Sequence, residues 1–489
     1  MSSTSSLKER TAKGLLWGGF SNGIVQLLNL VFGICLLRML TDTDYGMVQV
    51  LAVFTAIAGA LQDSGFMTAL INKKDASADD YNSVFWFNVL TGLLMYVILF
   101  LCAPLIADFY HSDELVALSR FLFLSFLFSG WGIAQRAYLY GHLMVRESSL
   151  ILIVSLAISG IVSVTMAYYG FAYWGLAAQT VVYTGMTTLL NWVVSPWRPT
   201  FRIDFGPVRR MFRFSSKLLV ATIFMQINRN VFSLLLGRFY TKALAGQYGN
   251  AAKWNDMGTT LINGMLNGVA LPVLARVKDD RDRYRAVFRK MLRFTSFVSF
   301  PAMLGLGLIS PEFILLVAGE KWLPSVGMLQ ILSIYGAFYP IITLYSNLVI
   351  SQEHTSINLY NTVALSVVTC GILVGMHPFG IYPMIVAFVT VNILWLFVWQ
   401  HFAFEMIGLR IIDALRDMLP FLGLALLSML VAWVVSVGIP HASVRLALKV
   451  AIAAVVYVGS LYASGSVMLR ESIAFLRKRG HIVDENEEI

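Results

Sequence analysis

Apolar runs broken by short polar turns fill this chain. Stretches of about 18 or more mostly apolar residues recur along it, and each has the length of a membrane-spanning helix. They are too long for barrel strands, and a helix satisfies its own backbone hydrogen bonds in lipid. The pattern predicts an all-α, polytopic membrane protein of about 14 transmembrane helices. The expected spans are 14–37, 45–71, 81–103, 114–135, 148–169, 174–194, 216–239, 248–275, 291–317, 325–350, 357–376, 381–403, 418–438 and 446–468. The second and eighth are long enough to include interfacial turns.

The chain resembles itself at a fixed offset. Gln26, Phe32, Leu36, Arg38, Thr41 and Gly46 recur as Gln226, Phe232, Leu236, Arg238, Thr241 and Gly246. The shared spacing R-x-x-T-x-x-x-x-G sits in "LLRMLTDTDYG" (Leu36–Gly46) and in "LGRFYTKALAG" (Leu236–Gly246). The first joins spans 1 and 2, the second spans 7 and 8. An even number of spans separates the copies, so both face the same way. Parallel repeats related by an axis along the membrane normal follow. The expected organisation is a tail (1–13), an N-lobe of six helices (14–194), a basic linker (195–215) and a C-lobe of six helices (216–403). Two C-terminal helices (404–468) and a second tail (469–489) complete it.

Charge sets the orientation. The chain is 58% hydrophobic and 13% charged, about half the charged fraction of a soluble protein. Of 36 Lys and Arg, only Arg38, Arg238, Lys242, Lys321, Arg445 and Lys449 fall on one side, while Arg120, Arg229 and Lys253 fall within spans. The rest crowd the opposite side, which the positive-inside rule makes cytoplasmic, with both termini there. The net charge of +9 is thereby topology, and a nucleic-acid partner is not expected. The first apolar run is about twice as long as a signal-peptide core and reads as the first helix. Cys35, Cys102 and Cys370 lie in or at the ends of apolar spans and imply no disulfide framework. No histidine spacing suggests a metal site.

Polar residues inside the spans fall on single helical faces. In span 1 these are Asn22, Gln26, Asn29 and Gly33; in span 7, Thr222, Gln226, Arg229 and Ser233. Span 8 carries Lys253, Asp256, Thr260, Asn263 and Asn267, and Asp63 of span 2 aligns with Asn263. A charge at mid-membrane costs about 2.5–3.5 kcal/mol on insertion scales, so such groups face a bundle interior or an aqueous cavity. The amides equally serve to join helices by hydrogen bonds, and Lys253 with Asp256 can form a local ion pair. Asp63 is open to three roles: binding a substrate hydroxyl, carrying a coupling proton, or pairing with a cation. Arg38 and Arg238 read either as snorkelling residues at helix ends or as a paired cationic rim at the outer mouth. Asp42 and Asp44 form an Asp-x-Asp triplet with two readings: a divalent-metal site, or the first turn of span 2, capped by Thr41 or Asp42.

The segment Asp63–Leu99, "DSGFMTALINKKDASADDYNSVFWFNVLTGLLMYVIL", resembles a signature of bacterial polysaccharide exporters, in particular the colanic-acid-type branch of oligosaccharide flippases. Leu235–Trp254, "LLGRFYTKALAGQYGNAAKW", resembles the second-lobe motif of the same family. The resemblance implies the multidrug/oligosaccharidyl-lipid/polysaccharide fold. It also implies movement of an undecaprenyl-diphosphate-linked oligosaccharide across a bacterial inner membrane. A polysaccharide polymerase and a chain-length regulator are the partners it implies, beside membrane lipids. It carries no short invariant site, so the candidate substrate-binding residues come from the polar faces: Arg229, Lys253, Asp256, Asp63, Asn22, Gln26, Asn29, Gln226 and Asn263, with Arg38 and Arg238 at the rim.

Two other classes compete. An ion-coupled multidrug exporter of the same fold calls for an anionic cavity, and the stripes show no acidic excess. A membrane-bound glycan-synthesis enzyme calls for a catalytic loop, and the Asp42-x-Asp44 triplet lies on the outer side and is lost in the second copy. No Walker-type loop is present, so ATP hydrolysis is not expected. No cofactor is expected; a coupling ion, H+ or Na+, is open.

Overall fold

The computed structural model describes residues 2–471 apart from 64–69, 71–75, 143, 202–203, 268–269, 271–272, 275–276, 278–279, 353–354 and 467, and within helices the side chains of 2–20, 62–63, 207, 209–218, 220–221, 265, 267 and 355 lie outside the description. The described residues are helical, with no strand among them. Among the described residues, eleven helical stretches are long and apolar enough to cross a membrane.

The chain divides into two compact units, 1–249 and 250–489. The first begins with α1 (Ser2–Met39), whose backbone is helical well before the expected start of span 1. Then come α2 (Asp42–Gln49), α3 (Ala52–Asp63), α4 (Ala78–Tyr110), α5 (Glu114–Leu122), α6 (Leu124–Gly141), α7 (Val145–Tyr168), α8 (Tyr173–Val194) and α9 (Gly206–Phe239). Span 2 is therefore two helices. The carbonyl of Val50 accepts a hydrogen bond from the Tyr110 hydroxyl at 3.0 Å. The amide of Phe54, which would take that carbonyl in an unbroken helix, bonds Leu51 instead at 3.1 Å. Within the unit α1 packs along α7, α4 along α6, and α6 and α7 along α8. The seventh span, α9, packs along α3 and α4 and so groups with the first unit.

The helix starts follow local chemistry. Ser77 and Asp80 cap α4 reciprocally: Asp80 N donates to the Ser77 hydroxyl at 3.2 Å and Ser77 N to the Asp80 carboxylate at 2.9 Å. Helix α10 (Lys242–Asn267) begins in the first unit and continues into the second.

The second unit is built on α11 (Arg281–Val317). This long helix packs against α12 (Ser325–Ser351), α16 (Ile411–Ser436) and α17 (Ala442–Ala463). Between them run α13 (Thr355–Met376), α14 (Ile381–Leu394) and α15 (Leu396–Ile407). Its core joins Phe288, Leu292, Phe300 and Met303 of α11 to Ile341, Leu344 and Leu348 of α12 and Phe421 of α16. Two ion clusters bind the last helices to α11. The Glu312 carboxylate, 2% exposed, accepts from Lys449 at 2.8 and 3.0 Å and pairs with Arg445 at 2.6 Å. Toward the other end Asp417 takes both arms of Arg289, at 2.6 and 3.1 Å. Lys449, expected on the outer surface, is thus a buried partner.

Candidate functional site

The repeated corner joins α1 to α2 and α9 to α10, and the structure accounts for its threonines and glycines. Thr41 caps α2: its hydroxyl accepts from Asp44 N at 3.2 Å, and the Asp44 carboxylate accepts from Thr41 N at 2.9 Å. Thr241 does the same for α10, its hydroxyl accepting from Leu244 N at 3.2 Å. The Asp-x-Asp triplet is consequently capping chemistry. Asp44 closes the box, and Asp42 accepts from Thr43 N at 2.8 Å and from the Gln247 amide at 3.0 Å. Among the described residues no group of three or more His, Cys, Asp or Glu could hold a metal ion.

The glycines explain why the two copies matter together. A methyl group on Gly46 would collide with the backbone carbonyl of Lys242, and one on Gly246 with the backbone carbonyl of Asp42. Asp42 and Lys242 are themselves repeat mates, so the two corners cross about a local two-fold, backbone on backbone. Only glycine permits that approach. Around the crossing Gln49 donates to the Ser233 hydroxyl at 2.9 Å, and its side chain lies against Gly249. Gly237 accommodates Val50 and Tyr110.

The rim arginines have different surroundings. Arg238 donates to the Phe109 carbonyl at 2.7 Å, contacts the ring of His111, and lies over the Phe109 ring at 5.1 Å. Lys242 donates to the Ser112 hydroxyl. The end of α9 is thereby clasped to the end of α4. Arg38 is exposed.

The polar faces are distributed as follows. On α1, Asn22 is exposed and Gln26 and Asn29 are half-buried; on α9, Gln226 is half-buried and Arg229 exposed. All five lie in the first unit. On α10, in the second unit, Lys253, Asp256 and Asn263 are half-buried. Lys253 makes no hydrogen bond or ion pair with any described residue, so the local pair with Asp256 that the spacing allows is not formed. The Asn263 side-chain oxygen is buried without a partner, as is that of Asn255. The side chain of Asp63 lies outside the described residues. Arg120, the remaining cation within a span, donates to the Phe100 carbonyl at 3.5 Å and sits over its ring at 4.2 Å, which gives it a structural role.

Sequence reasoning missed Gln49, Gln247, His111 and Ser112, because their side-chain partners lie 127 to 205 residues away. It also missed Glu312, whose charge lies within span 9 and whose partners are on span 14. An acidic residue in an apolar run was the available signal.

Comparison with known proteins agrees with this architecture. Residues 35–327 match the family model described as polysaccharide biosynthesis protein. The teichuronic acid biosynthesis protein TuaB of Bacillus subtilis (strain 168) is 29% identical over 68% of this chain and 69% of its own. The lipopolysaccharide biosynthesis protein WzxC of Escherichia coli (strain K12) is 26% identical over 80% of each. Among solved structures, the lipid II flippase MurJ in an inward closed conformation aligns with a TM-score of 0.72, at 16% identity, over 94% of this chain and all of that one. An inward-facing multidrug resistance MATE family transporter aligns with a TM-score of 0.62, at 14% identity, over 78% of this chain and 94% of that one. The fold is therefore of the MurJ and MATE kind. The family model covers more than half of the sequence, including both copies of the repeated corner; this chain belongs to the polysaccharide biosynthesis protein family.

Proposed function

We propose that this protein is a transporter, not an enzyme, and that it flips an undecaprenyl-diphosphate-linked oligosaccharide across the bacterial inner membrane for exopolysaccharide or O-antigen export. The observation that carries the reading is a polysaccharide-family sequence on a fold shared with a lipid II flippase. The physical need is clear: a sugar diphosphate cannot cross about 30 Å of hydrocarbon unaided.

Lys253 supports it. A half-buried ammonium without a counter-ion is a standing site for an anion; at 4 Å and an effective dielectric of 20 the attraction is about 4 kcal/mol. In this reading Lys253 and Arg229 attract the diphosphate or acidic sugars. Asn22, Gln26, Asn29, Gln226 and Asn263 line the glycan path, with Asp256 and Asp63 as candidates for sugar hydroxyls or a coupling H+ or Na+, and Arg38 and Arg238 at the mouth. Transport proceeds by alternating access, with both termini cytoplasmic. A polymerase and a chain-length regulator take over the product on the other side.

The test is genetic and chemical. A deletion strain should accumulate the lipid-linked oligosaccharide with its glycan facing the cytoplasm. Lys253→Glu and Arg229→Glu, each still reaching the membrane, should fail to restore export. Full export by both variants sinks the cationic-path model, and absence of the accumulated intermediate sinks the flippase reading. The MATE likeness favours one competitor, a drug exporter. It predicts that the same deletion sensitises cells to cationic drugs and leaves the glycan intermediate unchanged.

A further inference from the structure

A groove of about 650 Å³ runs between α6 and α8 on the surface of the first unit. Its walls include Phe128, Trp131, Gly185, Met186, Leu189 and Trp192. Two polar groups on its lining are turned into helix-to-helix bonds: the Thr188 hydroxyl donates to the Phe128 carbonyl at 2.8 Å, and the Trp192 indole to the Trp131 carbonyl at 2.6 Å. The wall left to the outside is apolar. Trp131 and Leu189 are each 55% exposed, and Phe128 beside them is 42% exposed. A groove of this kind in a membrane-spanning bundle faces hydrocarbon, and its natural occupant is a lipid chain.

The groove ends at an aromatic and basic collar. Trp192 meets Phe85 edge-on at 5.9 Å, Phe85 meets Trp86 and Trp197 at 5.4 and 6.1 Å, and Trp86 meets Phe201 at 5.8 Å. The linker after α8 is pinned there. The Trp86 indole donates to the Thr200 carbonyl at 2.8 Å, and Thr200 N donates to the Asn82 side chain at 2.9 Å. On this fixed loop Phe201 is 91% exposed. Leaving a phenyl ring in water forgoes about 1.5–3 kcal/mol, so a pinned, protruding ring points to an apolar phase beside it. Arg198 is exposed next to it. One of its terminal nitrogens donates to the Ser195 and Trp197 carbonyls, which fixes the guanidinium while the residue stays exposed. By sequence, Arg209, Arg210, Arg213 and Lys217 follow on the first turns of α9.

We propose that this groove and collar form a binding site for one anionic phospholipid, with an acyl chain between α6 and α8 and the headgroup phosphate on Arg198. Cation, aromatic belt and apolar groove follow one another in the order phosphate, glycerol region, chain. The charge complementarity selects an anionic over a zwitterionic headgroup. The charge asymmetry of the sequence places the collar on the cytoplasmic side.

Native mass spectrometry of the detergent-purified full chain tests this, with phosphatidylglycerol and phosphatidylethanolamine of identical chains as probes. The wild type should retain one phosphatidylglycerol in preference to phosphatidylethanolamine. Arg198→Gln should lower that preference about fivefold. Gly185→Leu, which fills the groove, should lower retention of both lipids; Met186→Trp fills the same groove if Gly185→Leu does not reach the membrane. Inorganic phosphate at millimolar concentration should not displace the lipid, since the chain supplies much of the binding. Equal retention of the two lipids by the wild type, or a preference unchanged by Arg198→Gln, overturns the proposal. Displacement by phosphate alone also overturns it, because the groove then contributes nothing.

Discussion

At Gly46 and Gly246 the missing side chain is itself what permits the packing. Each sits where a repeat mate's carbonyl leaves no room for a methyl group. Gly46→Ala or Gly246→Ala should therefore push the two corners apart. A loss of about 1–3 kcal/mol, typical of overpacking, is expected in thermal unfolding, with reduced export. Gly59→Ala is the matched control: nothing lies within 4 Å of the added methyl. There alanine should stabilise the helix by about 0.5–1 kcal/mol and leave export intact. If all three behave alike, the crossing is not close-packed. Lys253 makes the opposite case. Its charge has no partner among the described residues, so Lys253→Met should leave stability unchanged or raise it while flipping falls. A stability loss with normal flipping would assign it to structure instead. That contrast, function without stability, is how a binding cation differs from a paired one.

Paired cations act at the scale of elements. Helices α16 and α17 were legible only as a two-span appendage, with no sequence reason for their placement. Burying Glu312 between Lys449 and Arg445, and Asp417 beside Arg289, ties both helices to α11 at separate points. Glu312 is the counter-ion of the buried Lys449, and removing it leaves that ammonium bare, so Glu312→Met should destabilise by about 3–5 kcal/mol. The double variant Glu312→Met with Lys449→Met should recover much of that loss. A double-mutant cycle in detergent unfolding reads it, and additive losses would show that the pair does not interact. The same scale explains the break in span 2. Its apolar pattern is continuous, and the interruption comes from a tyrosine on α4 that takes the Val50 carbonyl.

For the molecule as a transporter, the crossing of α2 with α10 is the contact that must open if the corners separate in each cycle. A methyl group at position 249 would lie 3.1 Å from the Gln49 Cγ, so cysteines at 49 and 249 are placed within reach of a disulfide. In a background without Cys35, Cys102 and Cys370, the oxidised Gln49→Cys, Gly249→Cys variant should stop export, and a reductant should restore it. Undiminished export by the fully oxidised variant would show that this crossing stays shut throughout transport.

Helical class, membrane residence and the repeated corner were all readable in the sequence, because each rests on periodicity or composition. Lipid demands long apolar helices whatever their neighbours, and a capping threonine acts within its own turn. What the spacing R-x-x-T-x-x-x-x-G is for was not readable. Its threonines cap locally, but its glycines answer to a backbone 196 or 204 residues away. The same limit holds for Lys449, which looks like a surface lysine until Glu312 is packed beside it. It holds for Lys253, whose lack of a partner is a property of everything around it. A sequence states which groups are polar; only the folded chain decides which of them are left wanting a partner, because that depends on what non-local packing brings within hydrogen-bond reach.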